Sequence, residues 1–190
     1  MNRRHVMLGL ALALTGCASA KVNDYRLAAI PGPAQQSGAL TLGVRSVGLP
    51  GYLDETGIVK TSGAYQFDTY DNEVWAQPLA DMLQAVMVED LAQSLPSATV
   101  LASGGAIDAP VQLVVEINVQ KFDPDPDGAM VLLAQIALKD GTTHNLLRAE
   151  TIRLSAPSGI GVLGTVAAMS QLWAQAAGRI AAMCVQISPD

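Results

Sequence analysis

Of the chain's 190 residues half are hydrophobic and 15% charged, with 17 acidic against 11 basic side chains and a formal net charge of −6. That length suits one domain with a sizeable core better than two. An acidic balance without a basic patch argues against nucleic acid as a partner and against electrostatic adhesion to anionic lipid.

The chain opens on a targeting pattern. Asn2, Arg3, Arg4 and His5 supply a positive n-region and Val6 to Leu14 an uncharged apolar h-region, shorter than the roughly 20 apolar residues of a bilayer span. Leu14-Thr15-Gly16-Cys17 then resembles the bacterial lipobox, in which small residues before the cysteine give a signal peptidase access to the backbone. Cleavage there makes Cys17 the first mature residue; the competing site is an ordinary one at Ala18-Ser19-Ala20. Arg3-Arg4 lacks the rest of a twin-arginine motif, so general secretion is expected. Two or three acyl chains on Cys17 hold a protein stably at a membrane, whereas one chain gives marginal binding. No cofactor is expected beyond this covalent lipid on Cys17. Ala18, in the second mature position, is not the Asp that resembles an inner-membrane retention signal, which favours the periplasmic face of the outer membrane. Losing Arg3 and Arg4 takes the net charge from −6 to about −8.

Ala18 to Asp24 is small and polar, as a tether would be, and reaches roughly 20 Å when extended. Tyr25-Arg26-Leu27 reads as a short strand, and Pro31-Gly32-Pro33 with Gln35 to Gly38 as a loop. Leu40 to Val47 is a strand ending before Pro50; Ile58-Val59 and Tyr65-Gln66-Phe67 are short strand pieces around Ser62-Gly63. Apolar spacing predicts a helix from Trp75 to Ser94, with Pro78 in its first turn and Pro96 past its end. Ala98 to Leu101 is a short strand. Val111, Leu113, Val115, Ile117 and Val119 alternate with mostly polar neighbours, the clearest strand signal in the chain. A turn at Asp123–Gly128 leads to an apolar strand over Met130–Leu138, and a turn at Asp140–Thr143 to another over Leu146–Ser155, giving an antiparallel meander.

Pro157-Ser158-Gly159 breaks the meander before a second helix over Gly161–Cys184, with Val162, Val166, Met169, Trp173, Ala176, Ile180 and Met183 on its apolar face and Thr165, Gln171, Gln175 and Arg179 on the other. Ala156 to Gly178 carries no charge, yet its glycines, glutamines and hydroxyls suit a helix packed on a sheet better than a membrane span. The expected fold class is α+β, an antiparallel or mixed sheet of about four to six strands with two amphipathic helices mainly on one face. The expected organisation is a signal peptide at 1–16, a lipidated N-terminus and tether with a short strand at 17–37, and a single domain at 38–190.

Chemistry-bearing residues are sparse. The mature chain keeps one histidine, His144, in a predicted turn and away from any nucleophile elbow. Acylation consumes Cys17, so no intramolecular disulfide is expected and Cys184 is read as a buried, inert thiol on the apolar stripe of its helix. No metal site is expected. Asp123-Pro124-Asp125-Pro126-Asp127-Gly128 imitates the opening of an EF-hand loop, but its twelfth position is Ala134 and a strand follows, so an acidic hairpin turn is the expectation. Asp68, Asp71 and Glu73 suggest an acid/base pair less than a solvated surface at a helix N-terminus.

Leu49-Pro50-Gly51-Tyr52-Leu53-Asp54, then Ile58-Val59, then Trp75-Ala76-Gln77-Pro78-Leu79 resembles the PqiC-type family of ABC-transport auxiliary lipoproteins, with its LP-x-YLD turn, IV strand and WA-x-PL helix start. The pattern differs at Glu55-Thr56-Gly57, where an Arg-Pro-Gln-like segment is common, and lacks a basic residue before Trp75. The resemblance implies a non-enzymatic outer-membrane lipoprotein that acts with an ABC permease and ATPase and an MCE-domain protein moving phospholipid or other hydrophobic molecules. Tyr52 and Asp54 are candidates for partner docking, with a loop aromatic packed on the sheet as the competing reading of Tyr52. Leu49, Pro50, Leu53, Ile58, Val59, Trp75, Pro78 and Leu79 are expected to be structural. Association of copies of the chain is left open. The rival classes are a lipid-anchored periplasmic enzyme such as a cell-wall hydrolase, and a lipoprotein binding an apolar ligand in a cleft.

Overall fold

A computed structural model of the chain describes residues 20–63, 65–107 and 109–187. Its elements are β1 (Asn23–Tyr25), β2 (Thr41–Val44), β3 (Gly57–Gly63), β4 (Gln66–Trp75), α1 (Leu79–Ser94), β5 (Thr99–Ala102), β6 (Leu113–Pro124), β7 (Ala129–Asp140), β8 (Leu146–Pro157) and α2 (Gly161–Ile187). The proposed signal peptide and Cys17 lie outside the described residues.

The alternating run that begins near Val111 becomes β6, the centre of a five-stranded sheet ordered β5-β2-β6-β7-β8. The pairs β6–β7 and β7–β8 are antiparallel, while β2 runs parallel to both β5 and β6. Leu113, Val115, Ile117 and Val119 of β6, with Met130, Leu132, Ala134, Ile136 and Leu138 of β7, are buried. A register shift between Val119 and Lys121 inserts one residue and reverses the inward parity. Phe122 therefore still points into the core, where its ring stacks 5.9 Å from that of Trp173 on α2.

Both helices pack against each other, α1 against β5 and β2 and α2 against β7 and β8, as the mixed-sheet α+β expectation required. The Trp173 indole N–H, buried between them, donates to the Leu83 carbonyl of α1 at 3.0 Å. Thr165, expected on the polar face of its helix, is buried, and its hydroxyl lies 3.0 Å from the Tyr70 hydroxyl of β4. Gly159 and Gly164 meet backbone to backbone at the start of α2, so closely that a Cβ on Gly164 would stand 2.7 Å from the Gly159 carbonyl carbon. No helix among the described residues is long and apolar enough to cross a membrane.

A second sheet, β1-β4-β3, combines an antiparallel hairpin with a parallel pairing of β1 on β4. This hairpin replaces the short pieces expected around Ser62-Gly63. Its strands are mostly exposed, so they lack the apolar alternation that marks a half-buried strand. Asp68, Asp71 and Glu73 consequently lie on β4 and not at a helix N-terminus.

The first helix starts at Leu79 instead of Trp75. Pro78 disfavours helical backbone at Gln77, and Trp75 is held extended by pairing with Tyr25 and by donating its N–H to the Thr56 carbonyl at 2.9 Å. Between β1 and β2 the chain has no regular structure, yet it is tied to both helices. Leu27 is buried, Ala28 N–H donates to Ser170 Oγ at 3.2 Å, Ile30 N–H to Asp90 Oδ1 at 2.9 Å, and Gln35 N–H to the Ser94 carbonyl at 2.7 Å.

Candidate functional site

Three separated stretches singled out in the sequence converge at the base of the β3–β4 hairpin. Gly48 bridges to Asn118 of β6 and carries the chain out along that strand. Two overlapping turns then reverse it, Leu53 N–H donating to the Pro50 carbonyl at 2.9 Å and Asp54 N–H to that of Gly51 at 3.2 Å. Leu53, Ile58, Val59, Trp75 and Leu79 enter the core, Leu49 packs against it, and Pro78 caps the exposed start of α1. Trp75 ends β4 instead of opening the helix.

Between the turn and the helix start lies a cavity of about 240 Å³, lined by Asp54, Glu55, Thr56, Trp75, Gln77, Pro78 and Leu79. Its walls are the Trp75 ring and the Pro78–Leu79 helix start, and its rim carries the exposed Asp54 and Glu55 side chains. The corner combines a small apolar recess with two carboxylates and no basic residue among those lining it.

Tyr52 and Asp54 are only two residues apart but do different things. Asp54 is exposed, whereas the Tyr52 ring stacks on Phe67 of β4, with centroids 4.2 Å apart and planes 9° from parallel. Its hydroxyl donates to Asp123 Oδ1 at 2.7 Å. Burial, reinforced by that carboxylate, pushes the Tyr52 phenol well above its ordinary pKa.

Asp123 is the residue sequence reasoning misread. Instead of facing solvent in a hairpin turn, it is 1% exposed, and Thr61 Oγ1 and Lys121 Nζ reach its second oxygen at 3.1 and 2.9 Å. Lys121 also meets Asp125 at 3.1 Å, and Arg153 meets Asp125 at 3.5 Å. Burial pulls the Lys121 ammonium down, but the hydrogen bonds it donates to the Asp123 and Asp125 carboxylates outweigh that and raise its pKa. Asp123 is therefore committed to a network joining the turn, the small sheet and β6. No group of three or more metal-ligating side chains occurs among the described residues. The bulge before Lys121 gives Phe122 the core face and puts Asp123 on the other face of β6, where Tyr52 and Thr61 of the turn and the small sheet cover it, and nothing in the alternation of the preceding residues announces it.

A larger concavity of about 800 Å³ occupies the sheet face opposite the helices, lined by Ile117, Gln135 and Ala149 and by the charged Arg45, Glu116 and Lys139. Glu116 bonds Lys139 at 2.7 Å and Arg45 at 2.9 Å, and these cations, Lys139 foremost, depress its pKa. His144 is exposed in a turn at φ 58°, and Cys184 is fully buried, which pushes its thiol up to about 12.

A family model described as ABC-type transport auxiliary lipoprotein component matches residues 25–181. Intermembrane transport lipoprotein PqiC from Escherichia coli (strain K12) is 29% identical over 129 residues, 64% of this chain and 66% of that protein, and PqiC from Shigella flexneri matches equally. The match thus spans slightly less than two thirds of these relatives' length. Among solved structures, an uncharacterized protein superposes with a TM-score of 0.72 at 24% identity, covering 86% of this chain and 98% of its own. Protein XCC0632 from Xanthomonas campestris does so with a TM-score of 0.70 at 18% identity, covering 88% and 96%. Both share the fold. With the family model spanning both sheets and most of the second helix, the chain belongs to the ABC-type transport auxiliary lipoprotein family.

Proposed function

We propose that this chain is a non-enzymatic docking component of an envelope transport system, anchored through lipid on Cys17 to the periplasmic face of the outer membrane. Its partners would be an MCE-domain protein and the associated ABC permease and ATPase, and its cargo phospholipid or another hydrophobic molecule. The observation that carries the reading is the meeting of the end of the LPGYLD stretch with the WAQPL stretch around one corner cavity, above the buried Ile58 and Val59, in a chain whose family is that of transport auxiliary lipoproteins.

Physically, an acyl anchor confines the domain to a thin layer at the membrane and raises its effective concentration for a partner reaching across the periplasm. The motif corner offers that partner an apolar recess rimmed by Asp54 and Glu55, a combination suited to an apolar side chain flanked by Lys or Arg. Tyr52 contributes by holding the turn against β4 and Asp123, and Asp54 by contact. The larger concavity, rimmed by Arg45, Glu116 and Lys139, suits a polar surface better than an acyl chain. The reading is tested by affinity capture of the acylated chain from membranes under conditions that preserve complexes. Co-purification of MCE and ABC components, reduced by Asp54→Lys with Glu55→Lys, is expected; capture without any such component overturns it.

A further inference from the structure

The direction in which the N-terminal segment leaves the domain is set by β1. It pairs parallel with the end of β4, Asn23 opposite Glu73 and Tyr25 opposite Trp75. Residues before Asn23 therefore enter from the side of Asn72 and Asp71, the side toward the β3–β4 tip. Cys17 precedes Asn23 by six residues, a reach of about 20 Å when extended. Glu73 lies seven strand positions from Gln66 at the tip, about 24 Å. Six residues along that line are about long enough to reach the level of the tip.

That end of the molecule is also where exposed apolar side chains gather. Thr61, paired with Phe67 near the tip, faces the Pro124 carbonyl at the end of β6. Ser158, just before α2, donates from its hydroxyl to the Gly128 carbonyl at 2.7 Å. The hairpin tip and the start of α2 thus flank the same β6–β7 turn. Tyr65 at the tip is fully exposed, Phe67 is 51% exposed, and Ile160 and Leu163 at the start of α2 are 97% and 71% exposed. Exposure of large apolar side chains to this extent beside a lipid tether is the arrangement of an interfacial contact, where tyrosine sits at headgroup level and aliphatic groups enter the acyl boundary. The opposite end carries Ile107, Leu146 and Leu147, but β6 alone separates the two ends by 12 residues, about 40 Å, and the tether points away from it.

We propose that the end formed by the β3–β4 tip and the start of α2 rests on a phospholipid surface, with Tyr65, Phe67, Ile160 and Leu163 entering its interface. This contact fixes the orientation of the domain, which a flexible lipid tether alone leaves free. The charges at this end explain which lipid suits it. Asp125 is occupied by Lys121 and Arg153, but Asp127 is exposed and Asp68 is only partly neutralised by Lys60 at 3.5 Å. The surface is zwitterionic, and anionic lipid does not strengthen the contact.

The proposal rests on Cys17 being acylated, and its test separates the two ideas. The acylated full-length chain is placed on vesicles of phosphatidylethanolamine and phosphatidylcholine, with an environment-sensitive dye on a cysteine replacing Tyr65, Leu163 or, as a control at the far end, Ile107; brominated lipid is the quencher. Several-fold stronger quenching at the Tyr65→Cys and Leu163→Cys labels than at Ile107→Cys is expected. Floating chain with no quenching at the tip labels, with quenching only at Ile107→Cys, or with tip labels shielded by concentration-dependent contact between copies, overturns the proposal and leaves the anchor standing. A chain that does not float with the vesicles overturns the anchor, and this orientation with it.

Discussion

Replacing Asp90 by Asn flattens the pH dependence of stability in the mildly acidic range. Asp90 lies on α1, 2% exposed, where one oxygen accepts the Ile30 N–H and the other meets no hydrogen-bond partner among the described groups. Burial pushes its pKa up to about 6, against a partial opposing effect of the Ile30 N–H and with a small contribution from Glu89. The folded protein therefore holds this proton where the unfolded chain, at roughly pH 4, has already released it. A raised folded pKa stabilises fully below the unfolded value and is lost as pH rises through the folded one, so the window is about pH 4 to 6. Two pKa units correspond to on the order of 3 kcal/mol, or roughly 6 to 12 °C in Tm for a chain of this size. Asparagine still accepts from Ile30 but cannot ionise; its extra N–H carries a cost that is the same at every pH. Thermal unfolding of both proteins followed by circular dichroism from pH 4 to 7.5 is the assay. The Tm of the variant should gain on that of the parent as pH rises to 6 and then hold a constant difference. Parallel curves across the window would refute the reasoning.

Tyr52→Phe keeps the stack on Phe67 but leaves a buried Asp123 oxygen without its donor, which should cost about 1.5 to 3 kcal/mol in denaturant unfolding. An unchanged midpoint would release Tyr52 from its structural role and return it to the docking surface. Gly141→Ala should be severely destabilising, because a Cβ there would stand 1.8 Å from the Val111 carbonyl oxygen. The β6–β7 end must open to admit it, at a cost of at least about 2 kcal/mol. Limited proteolysis should then cut between β5 and β6 far faster than in the parent, and equal rates would contradict the contact.

The fold was legible where burial leaves a period. The β6-β7-β8 meander and α2 follow from alternating and helical spacing, since each element hides one face against the other. The β3–β4 hairpin was legible only in fragments, because a strand exposed on both faces is under no pressure to alternate. At the candidate corner, the residues that turn and pack were recognisable from their order, but their meeting around one cavity depends on the Thr56–Trp75 backbone bond between positions far apart in the chain.

The amino-acid order by itself carried the lipobox-like pattern ending at Cys17, the α+β class and the motif stretches that mark the family. Those are properties of local chemistry, carried by neighbours in the chain. Tertiary structure alone decided that Asp123 is a buried hub beneath the turn and the small sheet, that Tyr52 is packed while Asp54 is exposed, and that the chain before β1 comes from the side of the β3–β4 tip. A single inserted residue at the β6 bulge and the parallel register of a three-residue strand set these outcomes. Neither has a local sequence signature, because register and facing arise only when distant segments pair.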